Sequence, residues 1–214
     1  VLSPGVPTDI PLVNRMRDRG VQILGEIELG FLAEQGRVIA ITGTNGKTTT
    51  TTLTGEIMKA HFGKDKTFVV GNIGNPYTLE ADKTSKDSVT VGEISSFQLE
   101  TIHTFHPVVS AILNITPDHL NRHHTMEAYV AAKEAVASQQ TKADICVLNY
   151  DNDYTRDFAG RCPATPVLFS SHQELENGYF LRGDKIIKSV NGEEHELMDI
   201  HKDMNLVGLC NVEN

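Results

Sequence analysis

The sequence predicts an α/β fold, a mainly parallel doubly wound sheet carrying a P-loop, with a small antiparallel β extension. Three observations predict it. Short apolar runs alternate with amphipathic stretches between residues 37 and 149, which is the rhythm of βαβ units. A Gly43-Thr44-Asn45-Gly46-Lys47-Thr48 loop joins the first of those runs to a helical pattern. Beyond Thr165 the rhythm changes to short β-like segments, and Asn191-Gly192 marks a hairpin turn.

Taken in order, residues 1–30 stand apart. "SPGVPTDIPLV" is rich in proline, a short helical pattern surrounds Asn14 to Arg19, and "VQILGEIEL" reads as a strand with a following turn. A segment this short has little core of its own, so it is assigned to the tail of a partner domain, and residues 31–214 to one central domain. Strands are expected near 38–42, 67–70, 88–92, 109–115 and 144–149, and helices near 47–61, 96–103 and 126–140. "PVLFS", "GYFLRGD" and "KIIKSVNGEEHELMDI" read as short antiparallel strands of the same domain. The chain starts at Val1 and stops at Asn214, inside what reads as a helix start, so an excerpt of a longer chain is expected.

Composition narrows the function. With 39% hydrophobic and 22% charged residues the profile is that of a globular protein. The formal net charge of -9 leaves no broad positive field for nucleic acid. Cys146, Cys162 and Cys210 are widely spaced and form no CxxC, which suits a reducing cytoplasm and argues against a zinc site or a disulfide framework. No stretch of this sequence reads as a signal peptide, and its apolar runs are far too short to span a membrane. A cytoplasmic location is expected.

The full P-loop pattern GxxxxGK[ST] would place glycine at position 41, which is Ile41. The physical parts survive without it. Gly43 and Gly46 permit a tight turn with exposed N–H groups around Thr44 and Asn45, and a helix N-terminus follows. Lys47 can reach the β- and γ-phosphates, Thr48 can ligate Mg²⁺, and Thr49 is close enough to be a further contact. The alternative is a glycine turn that only caps a helix.

Three further features fall after strand ends or on a helix face. Glu93 ends a strand, where it is either a solvated charge or a Mg²⁺ ligand. Ser95 and Gln98 have the spacing of a capping box. The segment "ILNITPDHLNRHH" presents Asp118, His119, Arg122, His123 and His124, and zinc is conceivable there although no HxxxH or cysteine cluster supports it. In "TMEAYVAAKEAVASQQ" the residues Met126, Tyr129, Val130, Val136 and Ala137 form an apolar stripe, and Lys133 sits on it. A lysine there either snorkels to solvent or has a function, with its charge changed.

Together these features resemble the Mur ligases, ATP-dependent amide-forming enzymes of peptidoglycan precursor synthesis. The carriers are "SPGVP", "GEIEL", "TGTNGKTT", "GNIG", "EISSFQLE", "ILNITPDHLNRH", "AAK" at Lys133 and "NVEN", and they span essentially the whole chain. The resemblance implies three domains, for a UDP moiety, ATP and the incoming amino acid. This chain would hold the end of the first and nearly all of the second, with the missing N- and C-terminal domains elsewhere. It implies UDP-N-acetylmuramoyl-L-alanine and D-glutamate as substrates, and an acyl phosphate between them. ATP and Mg²⁺ are the implied cofactors. Lys47 and the loop N–H groups would stabilise the transferred phosphoryl group. Thr48 and Glu93 would hold one Mg²⁺, while His119 and Lys133 would serve a second, with Lys133 carbamylated. Ser3, Asn72, Ser95 and Ser96 would face the UDP-sugar substrate, and Asn211 and Asn214 the adenine. Two positions depart from the family pattern: Cys210 stands where histidine is usual, and Pro117 where an acidic residue is common before Asp118-His119. A sister ligase, of the Mur or folylpolyglutamate synthetase-like kind, is the nearest enzyme alternative. A P-loop switch or binding module is the alternative from another class, although no NKxD-like guanine-reading motif is present. These 214 residues alone are expected to bind nucleotide without completing the reaction.

Overall fold

A computed structural model describes residues 1–204 and 209–213. In chain order the elements are α1 (Pro11–Asp18), α2 (Glu26–Ala33), β1 (Arg37–Thr42), α3 (Lys47–Phe62), β2 (Thr67–Gly71), α4 (Tyr77–Glu80), β3 (Val89–Glu93), α5 (Ser96–Leu99), β4 (Val109–Ile112), α6 (Leu120–His123), α7 (Met126–Glu134), β5 (Ile145–Asn149), α8 (Asp153–Ala159), β6 (Thr165–Ser170), β7 (Gly178–Arg182), β8 (Lys185–Val190), β9 (Glu193–Asp199), α9 (Ile200–Asp203) and α10 (Leu209–Glu213). All nine strands form one sheet in the order β2-β3-β1-β4-β5-β6-β7-β8-β9.

The sheet is parallel from β2 through β7. Strand β1 lies between β3 and β4, and the chain moves outward to opposite sides from it. Its carboxyl end is therefore a topological switch point, where a crevice opens. Alternate residues of β1 supply both cores, as a two-residue period requires. Val38 and Ala40 join Ile27 of α2, Tyr77 of α4, Val130 of α7 and Phe158 of α8 on one face. Ile41 joins Val91 and Leu113 on the other, beneath Met58 and Phe62 of α3.

Three expectations are corrected. The segment "VQILGEIEL" is not a strand: Leu2 makes one isolated bridge to Gly25, and residues from Glu26 onward are helical. Glu26 and Glu28 favour the positive end of α2, and Ile27 and Gly30, three apart, turn inward together. The boundary expected at residue 30 falls inside that helix. The helix expected over 96–103 stops at Leu99. The His103 N–H, which would close onto Leu99 in a continuing helix, is taken instead by Glu28, whose buried carboxylate accepts from His103, Thr104 and Phe105 at 2.8, 2.7 and 3.1 Å. Finally, β6 is parallel to β5, because α8 supplies a crossover between them, and β7 is parallel to β6 through a short pairing at Phe169–Tyr179 and Ser170–Phe180. Only the β7-β8-β9 pairings are antiparallel. The β8-β9 turn is the expected hairpin, with positive φ at both Asn191 (52°) and Gly192 (81°).

A candidate nucleotide site at the carboxyl end of the central strand

The loop after β1 is framed by the chain after β4. Thr44 N–H donates to Asn114 O at 2.9 Å, and Asn45 N–H donates to Asn114 Oδ1 at 2.9 Å. Asn114 Nδ2 returns a bond to Asn45 O at 3.2 Å. Thr44 Oγ1 lies 3.0 Å from Tyr129 Oη and accepts from Thr116 N–H at 3.0 Å. Asn114 and Tyr129 were not singled out as site residues from the sequence. Their signal was their position, one at a strand end and one on the apolar stripe, but their partners lie 69 and 85 residues away.

Gly46 then takes φ 84°, the left-handed conformation that favours glycine, and α3 begins at Lys47. The first intrahelical bond of this turn is Thr50 N–H to Gly46 O. The N–H groups of Lys47, Thr48 and Thr49 precede it, at the positive end of a 16-residue helix. This is a cradle for an anion. Thr48 is exposed beside it.

Two lysines converge on the same carbonyl. Lys47 Nζ donates to Gly43 O at 2.9 Å and to Thr44 O at 2.8 Å. Lys133 Nζ, on a side chain that is 2% exposed, donates to Gly43 O at 2.7 Å. Snorkelling is thereby overturned: the α7 stripe carries this lysine into the protein, beneath the loop. Burial pushes the Lys133 amine down to about 7, the neighbouring Lys47 charge pushes the same way, and Asp118 opposes both. Burial also lowers Lys47, with Glu93 and Asp118 raising it.

Glu93 ends β3 alongside. Its Oε1 accepts from Asn72 Nδ2 at 2.7 Å, while Oε2 is buried with no partner. An orphaned carboxylate oxygen beside a phosphate cradle fits a divalent cation. Gly71 permits this approach, since a Cβ there would sit 2.2 Å from Glu93 O. Asn72 therefore holds Glu93 in place, whatever else it touches.

The remaining predicted residues are placed as follows. Ser95 and Gln98 close the expected capping box, which sets the turn that carries Ser96. Ser3 is exposed, and its carbonyl accepts from Val6 N–H at 3.0 Å. The three histidines diverge. His119 lies 4.9 Å from the Phe97 ring and pairs with Asp118 at 3.5 Å. His123 is buried against Ser96 Oγ at 2.9 Å, and that burial lowers its pKa from the ordinary value while the nearby Glu100 carboxylate opposes the shift. His124 is exposed near Asp9. Among the described residues there is no group of three or more His, Cys, Asp or Glu placed to hold a metal ion together. No contact joins His119 to Lys133 among the described residues. Asn211 of α10 lines an apolar cavity of about 760 Å³ that Thr50 and Leu53 of α3 also line. Asn214 and the Cys210 side chain lie outside the described residues. Among the described residues no helix is long and apolar enough to cross a membrane.

A family model described as the Mur ligase middle domain matches residues 41–214. A UDP-N-acetylmuramoylalanine--D-glutamate ligase of Lachnospira eligens is 56% identical over 214 residues, covering 100% of this chain and 47% of that protein. Proteins of the same name from Lachnoclostridium phytofermentans and Clostridioides difficile are 55% and 47% identical, again over 100% of this chain and 46% and 47% of theirs. The chain thus spans about half the length of the curated relatives it matches. Among solved structures, MurF from Acinetobacter baumannii superposes with a TM-score of 0.61 at 20% identity, covering 88% of this chain and 42% of that one. A UDP-N-acetylmuramate:L-alanyl-gamma-D-glutamyl-meso-diaminopimelate ligase from Neisseria meningitides gives 0.60 at 12% identity, covering 98% and 68%. At these identities the two structures speak to the fold alone.

Proposed function

The chain belongs to the Mur ligase family through its middle domain, and from that premise we propose that the full-length protein is an ATP-dependent ligase joining D-glutamate to UDP-N-acetylmuramoyl-L-alanine. The relatives' names support the substrate pair. The observation that carries the nucleotide chemistry is Lys133, a buried lysine donating to the carbonyl of the P-loop glycine Gly43. A packing residue at that position would be apolar.

In this reading the acceptor carboxylate attacks the γ-phosphorus of ATP, and ADP leaves. The D-glutamate amine then attacks the acyl carbon and gives up one proton to solvent, and inorganic phosphate leaves from the tetrahedral intermediate. The chain's own residues bind and orient. The N–H groups at the start of α3 take the phosphate oxygens. Lys47 swings from Gly43 O and Thr44 O to the β- and γ-phosphates, exchanging two neutral acceptors for charged ones. Thr48 and Glu93 Oε2 would hold Mg²⁺, with Asn72 fixing the carboxylate that does so. Bound Mg²⁺ supplies neutralisation of charge on the transferred phosphoryl group. Ser3, Asn72, Ser95 and Ser96 face the UDP-sugar side, and Asn211 the adenine side.

Lys133 is carbamylated in this proposal. Its neutral amine bonds to the carbon of CO₂ and loses one proton, giving an N-carboxylate anion. An amine with a pKa near 7 is in large part neutral at physiological pH, so the nucleophile exists without a separate base. The anion would then offset Lys47 and serve a second Mg²⁺ with His119. A cytoplasmic location follows from where UDP-linked precursors and ATP would be met.

The test is ADP release by the full-length protein supplied with ATP, Mg²⁺, the UDP-linked acceptor and single amino acids. Release that requires both the acceptor and D-glutamate is expected. Release with another amino acid but not with D-glutamate would overturn the specificity.

A further inference from the structure

The turn that carries His119 is held from behind. His119 has φ 52°, a left-handed conformation that costs energy for any residue with a Cβ and persists where neighbours enforce it. Arg122 N–H and His123 N–H both donate to His119 O, at 2.9 and 3.0 Å. The side chains of the same two residues are anchored in turn. His123 Nε2 meets Ser96 Oγ at 2.9 Å. Arg122 forks onto Glu100, Nη2 to Oε2 at 2.7 Å and Nε to Oε1 at 3.2 Å.

Arg122 also reaches a third segment. Its Nη2 donates to Val6 O at 3.0 Å, and Glu100 Oε2 accepts from Thr8 Oγ1 at 3.2 Å. Its guanidinium lies 5.0 Å from the centre of the Phe97 ring, which His119 approaches at 4.9 Å. The side chains of Arg122 and Glu100 are only 13% and 15% exposed, so water competes weakly for these bonds. One guanidinium thus ties residues 3–8, the Ser95–Glu100 turn and the His119 turn together.

We infer that Arg122 is a positioning residue that couples the segment Ser3–Thr8 to His119, so that order in one enforces order in the other. The inference rests on the reading of Ser3 and Ser96 as facing the acceptor and of His119 as the metal side. Lysine can substitute only in part, because a single ammonium does not present the planar fork that meets both Glu100 oxygens and Val6 O.

Arg122→Ala and Arg122→Lys in the full-length protein test it by two readouts. In hydrogen exchange, the amides of Val6 and of Arg122 and His123 are expected to exchange roughly tenfold faster together, while α3 and α7 keep their protection. In kinetics, the Mg²⁺ concentration for half-maximal rate and the KM for the UDP-linked acceptor are each expected to rise about tenfold, with the KM for ATP within about twofold. Arg122→Lys restores only a part. Faster exchange in one segment without the other, or in neither, overturns the coupling. So does a kinetic loss confined to kcat that follows the loss of folded protein. A parent protein inactive with every amino acid would sink the ligase reading, while the exchange result would still decide the coupling.

Discussion

Lys133 places an amine where water does not reach, against a neutral carbonyl and in the field of a second lysine. Its folded pKa of about 7 lies below the ordinary 10.5, so between those values the unfolded chain binds the proton and the folded one does not. Stability in CO₂-free buffer should therefore rise as pH increases from 7 towards 10.5, and Lys133→Met should flatten that rise, read from urea midpoints across pH. The same pKa governs carbamylation, since only the unprotonated amine bonds to CO₂. Incorporation of ¹³C-bicarbonate at Lys133, followed by NMR, is expected to climb through pH 7 and to be absent in Lys133→Arg. A midpoint near pH 10 would show that the amine is solvated like any surface lysine. Glu93 makes the complementary residue-scale case. Its Oε2 is buried without a hydrogen-bond partner, which suits a cation. Glu93→Gln should weaken the Mg²⁺-dependent part of ADP binding by at least about tenfold and leave the Mg²⁺-free part unchanged, as titration calorimetry would measure.

At the scale of elements, short turns rather than long helices place the site. The α5 turn is four residues long, too short to persist without its cap. Gln98 N–H donates to Ser95 Oγ at 3.3 Å and Ser95 N–H to Gln98 Oε1 at 2.9 Å. Ser95→Ala should lower stability by ~1 kcal/mol with an unchanged denaturant m-value. Because Ser96 Oγ contacts His123, it should also release that ring, seen as a His123 pKa closer to the ordinary value. This capping box, the GTNGKT loop, the Asn191-Gly192 hairpin and the position of Lys133 on an apolar stripe were all legible in the sequence, because each is a local pattern. What was not legible is non-local. The acceptor for Lys133 lies 90 residues away, and the end of α5 is decided by Glu28, 75 residues before His103. The parallel direction of β6 depends on α8, whose seven residues carry little periodic signal. "VQILGEIEL" misled because its apolar residues alternate locally, while the helix forms around Ile27 and Gly30, against Tyr77.

At the scale of the whole molecule, the carboxyl edge of the sheet gathers the phosphate loop, Glu93 and the His119 turn. All three lie within the residues described here. Phosphoryl transfer needs the acceptor carboxylate in line with the γ-phosphate, and amide formation needs the amine held against the acyl carbon. The relatives are about twice as long as this chain, and in the proposed reading the residues beyond it help to hold those two groups. Binding and turnover should then separate. The isolated 214 residues are expected to bind ADP with Mg²⁺ through the α3 N-terminus, and Lys47→Ala should weaken that binding. They are also expected to release ADP in a D-glutamate-dependent manner at least about a hundredfold more slowly than the full-length protein, since losing the alignment of reacting groups costs that much or more. Equilibrium dialysis and a coupled ADP assay on the same preparation measure both quantities. Equal turnover by the isolated chain would mean that the edge described here aligns all three reactants by itself.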